Sequence, residues 1–111
     1  MAAGSADSMS AIVPLASAIA AGNRVMIKPS EHTPQVSALL ARMLAAIFDA
    51  DQVQVVQGDA ALGAAFTQLP FDHLLFTGST EVGKRVMAAA AANLTPVTLE
   101  LGGKCPALIT P

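Results

Sequence analysis

A chain of 111 residues, 53% hydrophobic and only 13% charged, has room for one domain at most and too little charge for an intrinsically disordered one. Its net charge of −2 excludes a basic nucleic-acid footprint over the whole chain, and a single cysteine excludes an internal disulfide framework or a cysteine-rich zinc site. The longest apolar run, Ala11 to Ala21, contains Pro14 and falls short of the roughly 18–20 residues of a membrane span, which leaves a soluble, cytoplasmic type of globular chain.

The first ten residues are small and polar without periodicity, and lack the basic start and apolar middle of a signal peptide. They read as a flexible leader or a remnant of expression, with the folded part over 11–111. A short apolar helix over about Ile12 to Ala21 ends at Gly22-Asn23, residues suited to a left-handed cap. Val25-Met-Ile27 reads as a buried strand closed by Lys28-Pro29. Thr33 is an expected N-cap with Pro34 at the first helical position, and Val36, Leu39, Leu40, Met43, Leu44 and Ile47 then repeat at helical spacing.

The cycle repeats. Val53 to Val56 is strand-like, and Gly58-Asp59 opens a helix to about Gln68. His73 to Phe76 is a third strand, followed by Thr77-Gly78-Ser79-Thr80 and a helix through the alanine run 88–92. Thr95-Pro96 leads to a fourth strand, Val97 to Glu100, ending at Gly102-Gly103. A last short strand is expected over Ala107 to Ile109. Strands alternating with helices imply a parallel sheet and an α/β class. The charged share is about half the usual ~25% and alanine makes up about a fifth of the chain. Closely packed helices and a partly covered surface follow, so the chain reads as a piece of a larger domain.

Ligands of open parallel sheets bind beyond the carboxyl ends of the strands. Three such ends are polar or glycine-rich here: Lys28-Pro-Ser-Glu31, Thr77 to Gly83, and Glu100-Leu-Gly-Gly103. The segment Gly78 to Lys84 matches G-x-x-x-x-G-K between a strand and a helix, the spacing of a phosphate-binding P-loop. Arg85 stands where a hydroxyl must reach magnesium, and Glu81 places a carboxylate among the expected phosphate donors. Backbone donors at Ser79 to Val82 remain able to serve one pyrophosphate without magnesium.

Three segments together, Ala21 to Glu31, Phe76 to Gly83 and Val97 to Lys104, resemble the successive signatures of the NAD(P)-dependent aldehyde dehydrogenase superfamily, in its order and spacing. The tuning is similar to the branch oxidising hydrophobic or aromatic aldehydes such as coniferyl aldehyde. The resemblance implies a Rossmann-like open parallel sheet of four to five strands with helices on both faces, as a fragment of a larger domain. It implies an enzyme that oxidises an aldehyde to a carboxylic acid with NAD or NADP through a cysteine thioester.

Roles follow from that resemblance residue by residue. Lys28 and Glu31, with Ser30 between them, correspond to the ribose-binding loop. An ammonium and a carboxylate donate to and accept from a vicinal diol, and Glu31 disfavours a 2′-phosphate while Lys28 favours one. Thr77, Gly78, Ser79, Thr80, Glu81, Val82 and Gly83 correspond to the pyrophosphate and adenine segment, with Ser79 at the phosphates, Val82 against the base and Gly58 in the pocket wall. Gly102 and Gly103 let the backbone approach the nicotinamide, and Leu101 and Gly102 count among the cofactor-binding residues. Glu100 corresponds to the general base, a role suited to a carboxylate raised toward neutrality by an apolar site, and Leu99 and Leu101 flank it.

The nucleophilic cysteine of the resemblance is expected beyond Pro111, so this chain alone is expected to be inactive. Cys105 reads as a small packed residue. His32 and His73 read as solvated or hydrogen-bonded rather than metal ligands, and no metal site is expected. Glu81, Lys84 and Arg85 read as a solvated face, and Met26, Met43 and Met87 as core. The alanine-rich helix corresponds to one that helps build a homo-oligomer, a dimer or tetramer. Neither nucleic acid nor membrane is expected as a partner. Two other readings stay open: a P-loop nucleotide-binding protein and a non-catalytic assembly module.

Overall fold

Alternation along Val25-Met26-Ile27 sets the architecture. Val25 and Ile27 are buried in one apolar cluster while Met26 packs against another, as successive side chains on a strand face opposite sides of a sheet. A computed structural model describes residues 2–5, 9–103 and 109. In chain order its elements are β1 (Ala2–Ser5), α1 (Met9–Ala20), β2 (Val25–Pro29), α2 (Pro34–Ala45), β3 (Val53–Val55), α3 (Ala60–Phe66), β4 (Leu74–Gly78), α4 (Thr80–Ala91) and β5 (Val97–Leu101). The strands form one sheet in the order β3-β2-β1-β4-β5, and every neighbouring pair is parallel.

Parallel neighbours need a crossover, usually helical, and the two sets of crossovers cover opposite faces. Ala11, Leu15 and Ala18 of α1 and Leu40 and Leu44 of α2 pack on Val25, Ile27 and Val53. Phe66 of α3 and Val86 of α4 pack with Leu74, Met26, Phe76, Val97 and Leu99 on the other face. Phe66 and Phe71 stack at a tilted 47° with centroids 5.1 Å apart. The chain therefore winds outward through β2 and β3 under one pair of helices, then returns past its start to β4 and β5 under the other. Ile27 is 1% exposed, and truncating so enclosed a side chain to alanine costs about 2–5 kcal/mol.

The largest departure from the sequence expectation is at the N-terminus. Ala2–Ser5, expected as part of a leader, is the central strand, paired to β2 and to β4, and α1 begins at Met9 rather than Ile12. The run Ala-Ala-Gly-Ser carries none of the β-branched or aromatic residues that signal a strand. Its neighbours impose the conformation by offering two open edges. The strand expected over 107–109 lies outside the described residues except for Ile109, which is exposed and in no strand.

Local chemistry fixes the helix ends. Gly22 takes φ +79°, and the Asn23 backbone N–H donates to Ala18 O at 3.0 Å, a left-handed closure. Thr33 makes no side-chain cap. Ser37 Oγ donates to Thr33 O at 2.9 Å instead, tying the first turn of α2 to the loop after β2. Asp59 caps α3, accepting from the Leu62 N–H at 3.0 Å. Met43 and Met87 are 54% and 60% exposed, so only Met26 of the three methionines expected in the core packs there. No helix among the described residues is long and apolar enough to cross a membrane.

Candidate functional site

At the carboxyl edge of the sheet, on the face covered by α3 and α4, the two helices stand apart and leave a slot of about 570 Å³. One wall is the small-residue face of α3, Ala60, Gly63 and Ala64, with Thr67 just beyond it. The other is Val82, Arg85, Val86 and Ala89 of α4. β4 forms the floor through Leu74 to Gly78, and the loop after β2, Lys28 to His32, forms the mouth. Alanine and glycine in α3 keep this wall thin: a Cβ on Gly63 would lie 3.6 Å from Lys28 Cε.

The mouth carries the strongest electrostatic feature. Lys28 leaves β2 as a buried residue, 8% exposed, and its ammonium meets Glu31 Oε2 at 2.7 Å. That hydrogen bond first, and the Glu31 backbone N–H second, hold the Glu31 carboxyl below its ordinary range. An ammonium carries three N–H donors, and Glu31 is the one acceptor the described residues give it. The pair thus offers a further donor beside an anionic acceptor, over an apolar slot whose volume is that of a small-molecule site.

Ser79 follows β4 and caps α4, its Oγ accepting from the Val82 N–H at 3.3 Å. Helix begins at Thr80, so Thr80, Glu81 and Val82 are already α-helical, and the Val82 and Gly83 N–H groups are committed to Ser79. A P-loop needs those residues as an open loop wrapped round a phosphate. Lys84, 70% exposed at its side chain, pairs with Glu81 at 3.1 Å instead. The P-loop reading is overturned by this geometry, and the expected row of donors from Ser79 to Val82 is reduced by the Val82 N–H.

Glu100 lies on β5 in register with Thr77 and is exposed. Val97 and Leu99 of the same strand belong to the α3/α4 cluster, so alternation turns Glu100 to the α1/α2 face. Its neighbours do not enclose it as the sequence suggested. Leu99 is packed on the other side, and Leu101 lies against Gly83, where a Cβ would come 2.7 Å from Leu101 Cδ2.

Of the residues singled out in the sequence, Lys28, Ser30, Glu31, Thr77, Gly78, Ser79 and Val82 line the slot. Gly58, Thr80, Glu81, Gly83, Leu101, Gly102 and Glu100 do not. Gly58 stands before α3 against Leu62, Gly83 is buried inside α4, and Gly102 is exposed beyond β5. Arg85, expected on a solvated face, is exposed and also lines the slot. It follows Val82 by three positions, and that helical spacing was the available signal. The small residues of α3 were also passed over; Ala60, Gly63, Ala64 and Thr67 repeat at helical spacing. His73 Nε2 lies 2.9 Å from Thr98 Oγ1 across β4 and β5, and His32 is exposed at the mouth. Lys104 and Cys105 are outside the described residues.

A doubly wound parallel sheet with a pocket at the carboxyl edge, beside the point where the winding reverses, is the architecture of nucleotide- and dinucleotide-binding domains. Residues 8–111 match the model of the aldehyde dehydrogenase family, and the chain belongs to that family. Over 99 residues it is 66% identical to a probable coniferyl aldehyde dehydrogenase of Pseudomonas aeruginosa, covering 89% of this chain and 21% of that protein. Staphylococcus aureus AldH in a substrate-bound state superposes with a TM-score of 0.84 at 42% identity, over 93% of this chain and 24% of that one. An indole-3-acetaldehyde dehydrogenase of P. syringae, in complex with NAD+ and IAA, gives a TM-score of 0.85 at 34% identity, over 95% and 23%. The chain thus spans between a fifth and a quarter of the length of these relatives.

Proposed function

We propose that the chain is the cofactor-binding segment of an NAD(P)-dependent aldehyde dehydrogenase. The observation that carries this reading is the Lys28–Glu31 pair, 2.7 Å apart, at the mouth of an apolar slot between α3 and α4 in a member of this family. The slot suits an adenosine: Lys28 donates to and Glu31 accepts from the ribose diol, while Val82 and the small residues of α3 hold the base. Ser79, at the N-terminus of α4, stands where a pyrophosphate gains from the helix dipole. Bound there, a nicotinamide dinucleotide supplies a two-electron hydride acceptor.

Glu100 is the general base. It takes the proton of the attacking thiol and later that of the water that hydrolyses the thioester, releasing the carboxylic acid. The adenosine slot and Glu100 are on opposite faces of the sheet, so a cofactor serving both passes over the carboxyl edge. Apolar cover for Glu100 then comes from protein outside the described residues. The substrate class is a hydrophobic or aromatic aldehyde, in keeping with the name of the 66%-identical relative. The setting is a cytoplasmic homo-oligomer, with the exposed side of α4 around Met87 as subunit contact.

Calorimetric titration of the chain with NAD+, with Mg-ATP as control, tests this reading. Saturable NAD+ binding with ATP no tighter supports it. Magnesium-dependent ATP binding without NAD+ affinity overturns it, as does the absence of binding to either by the folded chain.

A further inference from the structure

Arg85 lies in the wall of the slot with Val82, Val86 and Ala89 of its own helix, and Gly63 and Ala64 of α3 line the same slot. Among the described residues its guanidinium makes no hydrogen bond and no ion pair, and the charges nearest to it in α4, Glu81 and Lys84, satisfy each other at 3.1 Å. Arg85 is exposed, so water meets its charge and, with no partner among the described residues to hold it, the guanidinium is available to a ligand that enters the slot. Guanidinium is flat, delocalised and weakly hydrated, and it stacks on aromatic faces where an ammonium does not. The small residues across the slot leave a gap between two helices suited to a flat heteroaromatic ring.

We propose that Arg85 is a positioning residue for the cofactor, its guanidinium stacking on the purine base. The inference rests on the cofactor reading above and adds to it a base-recognition contact. A grip on a 2′-phosphate is the competing use of such a residue. The ribose pair disfavours it: Lys28 lies against Gly63 on the α3 side, while Arg85 stands on α4, and the Glu31 carboxylate at the ribose repels a phosphate.

The test is calorimetric titration of the chain and its Arg85→Leu and Arg85→Lys variants with NAD+, AMP and NADP+. A base contact requires Arg85→Leu to weaken all three ligands by a similar factor, about five- to tenfold, with Arg85→Lys between. Because Arg85 is exposed, thermal unfolding of the variants should match the parent. Equal affinity of parent and Arg85→Leu for NAD+ and AMP overturns the inference while leaving the cofactor reading intact. A loss confined to NADP+ overturns it in favour of the phosphate contact. Failure of the parent chain to bind NAD+ or AMP overturns the cofactor reading and this inference with it.

Discussion

Leu101 lies directly over Gly83, so close that a Cβ there would stand 2.7 Å from Leu101 Cδ2. Two effects oppose each other at this position. Glycine inside a helix is about 1 kcal/mol worse than alanine, whereas the added methyl must push aside the end of a flexible leucine. We expect Gly83→Ala to leave urea stability within about 1 kcal/mol of the parent, and Gly83→Val, which is stiff and larger, to lower it by about 2 kcal/mol or more. A strong destabilisation by alanine alone would show that Leu101 has nowhere to go.

The Lys28–Glu31 pair makes two separate predictions. Lys28→Ala should weaken NAD+ about tenfold by calorimetry, the scale of one hydrogen bond to a charged group. The second concerns acid. The carboxyl of Glu31 is held below its ordinary 4.5 by Lys28, so the folded state binds its proton less readily than the unfolded one. The stabilisation is present above pH 4.5 and is lost as pH falls through the lowered folded value. Glu31→Gln should therefore flatten the fall of stability with pH below 4.5; an unchanged slope would remove the pair from the acid response.

Asp59 caps a helix of only seven residues that forms one wall of the slot. Its replacement by alanine orphans the Leu62 N–H and should cost about 1 kcal/mol. Because α3 is so short, the loss should appear first as faster amide exchange in α3, with weaker NAD+ binding, before any change in the α1/α2 side of the sheet.

Leu94 takes φ 55° and is 90% exposed, closing α4 while the Thr95 N–H donates back to Ala90 O at 3.1 Å. This is a left-handed cap occupied by a branched side chain that buries almost nothing. Leu94→Gly should raise stability by about 1 kcal/mol, read as a higher urea midpoint at unchanged slope.

Strands with branched side chains, and helices with a cap or an apolar stripe, were legible because their signal is local. Val53, Pro34 and Asp59 each act within a few residues. The three chemistry-bearing strand ends were legible too, since a parallel sheet brings them to one edge whatever its order. Which face each side chain takes was harder. Glu100 looks enclosed when read between Leu99 and Leu101, but strand alternation sends Leu99 to the far side, and Leu101 is drawn to Gly83. Arg85 reads as surface next to Lys84, and only the three-residue step from Val82 puts it in the slot. The central strand was not legible at all, because Ala2–Ser5 is held by partners 24 and 72 residues away.

That strand sets the folding problem of the chain. The two apolar clusters lie on opposite faces of the sheet, and β1 joins its two halves, with β2 on one flank and β4, some 70 residues further along the chain, on the other. Until β4 docks, β1 is an open edge available to another copy. Trimming these few residues, or replacing one with proline, does more than shorten the sheet at its margin. It parts the sheet down the middle into two pairs, β3-β2 and β4-β5, each with a newly exposed inner edge.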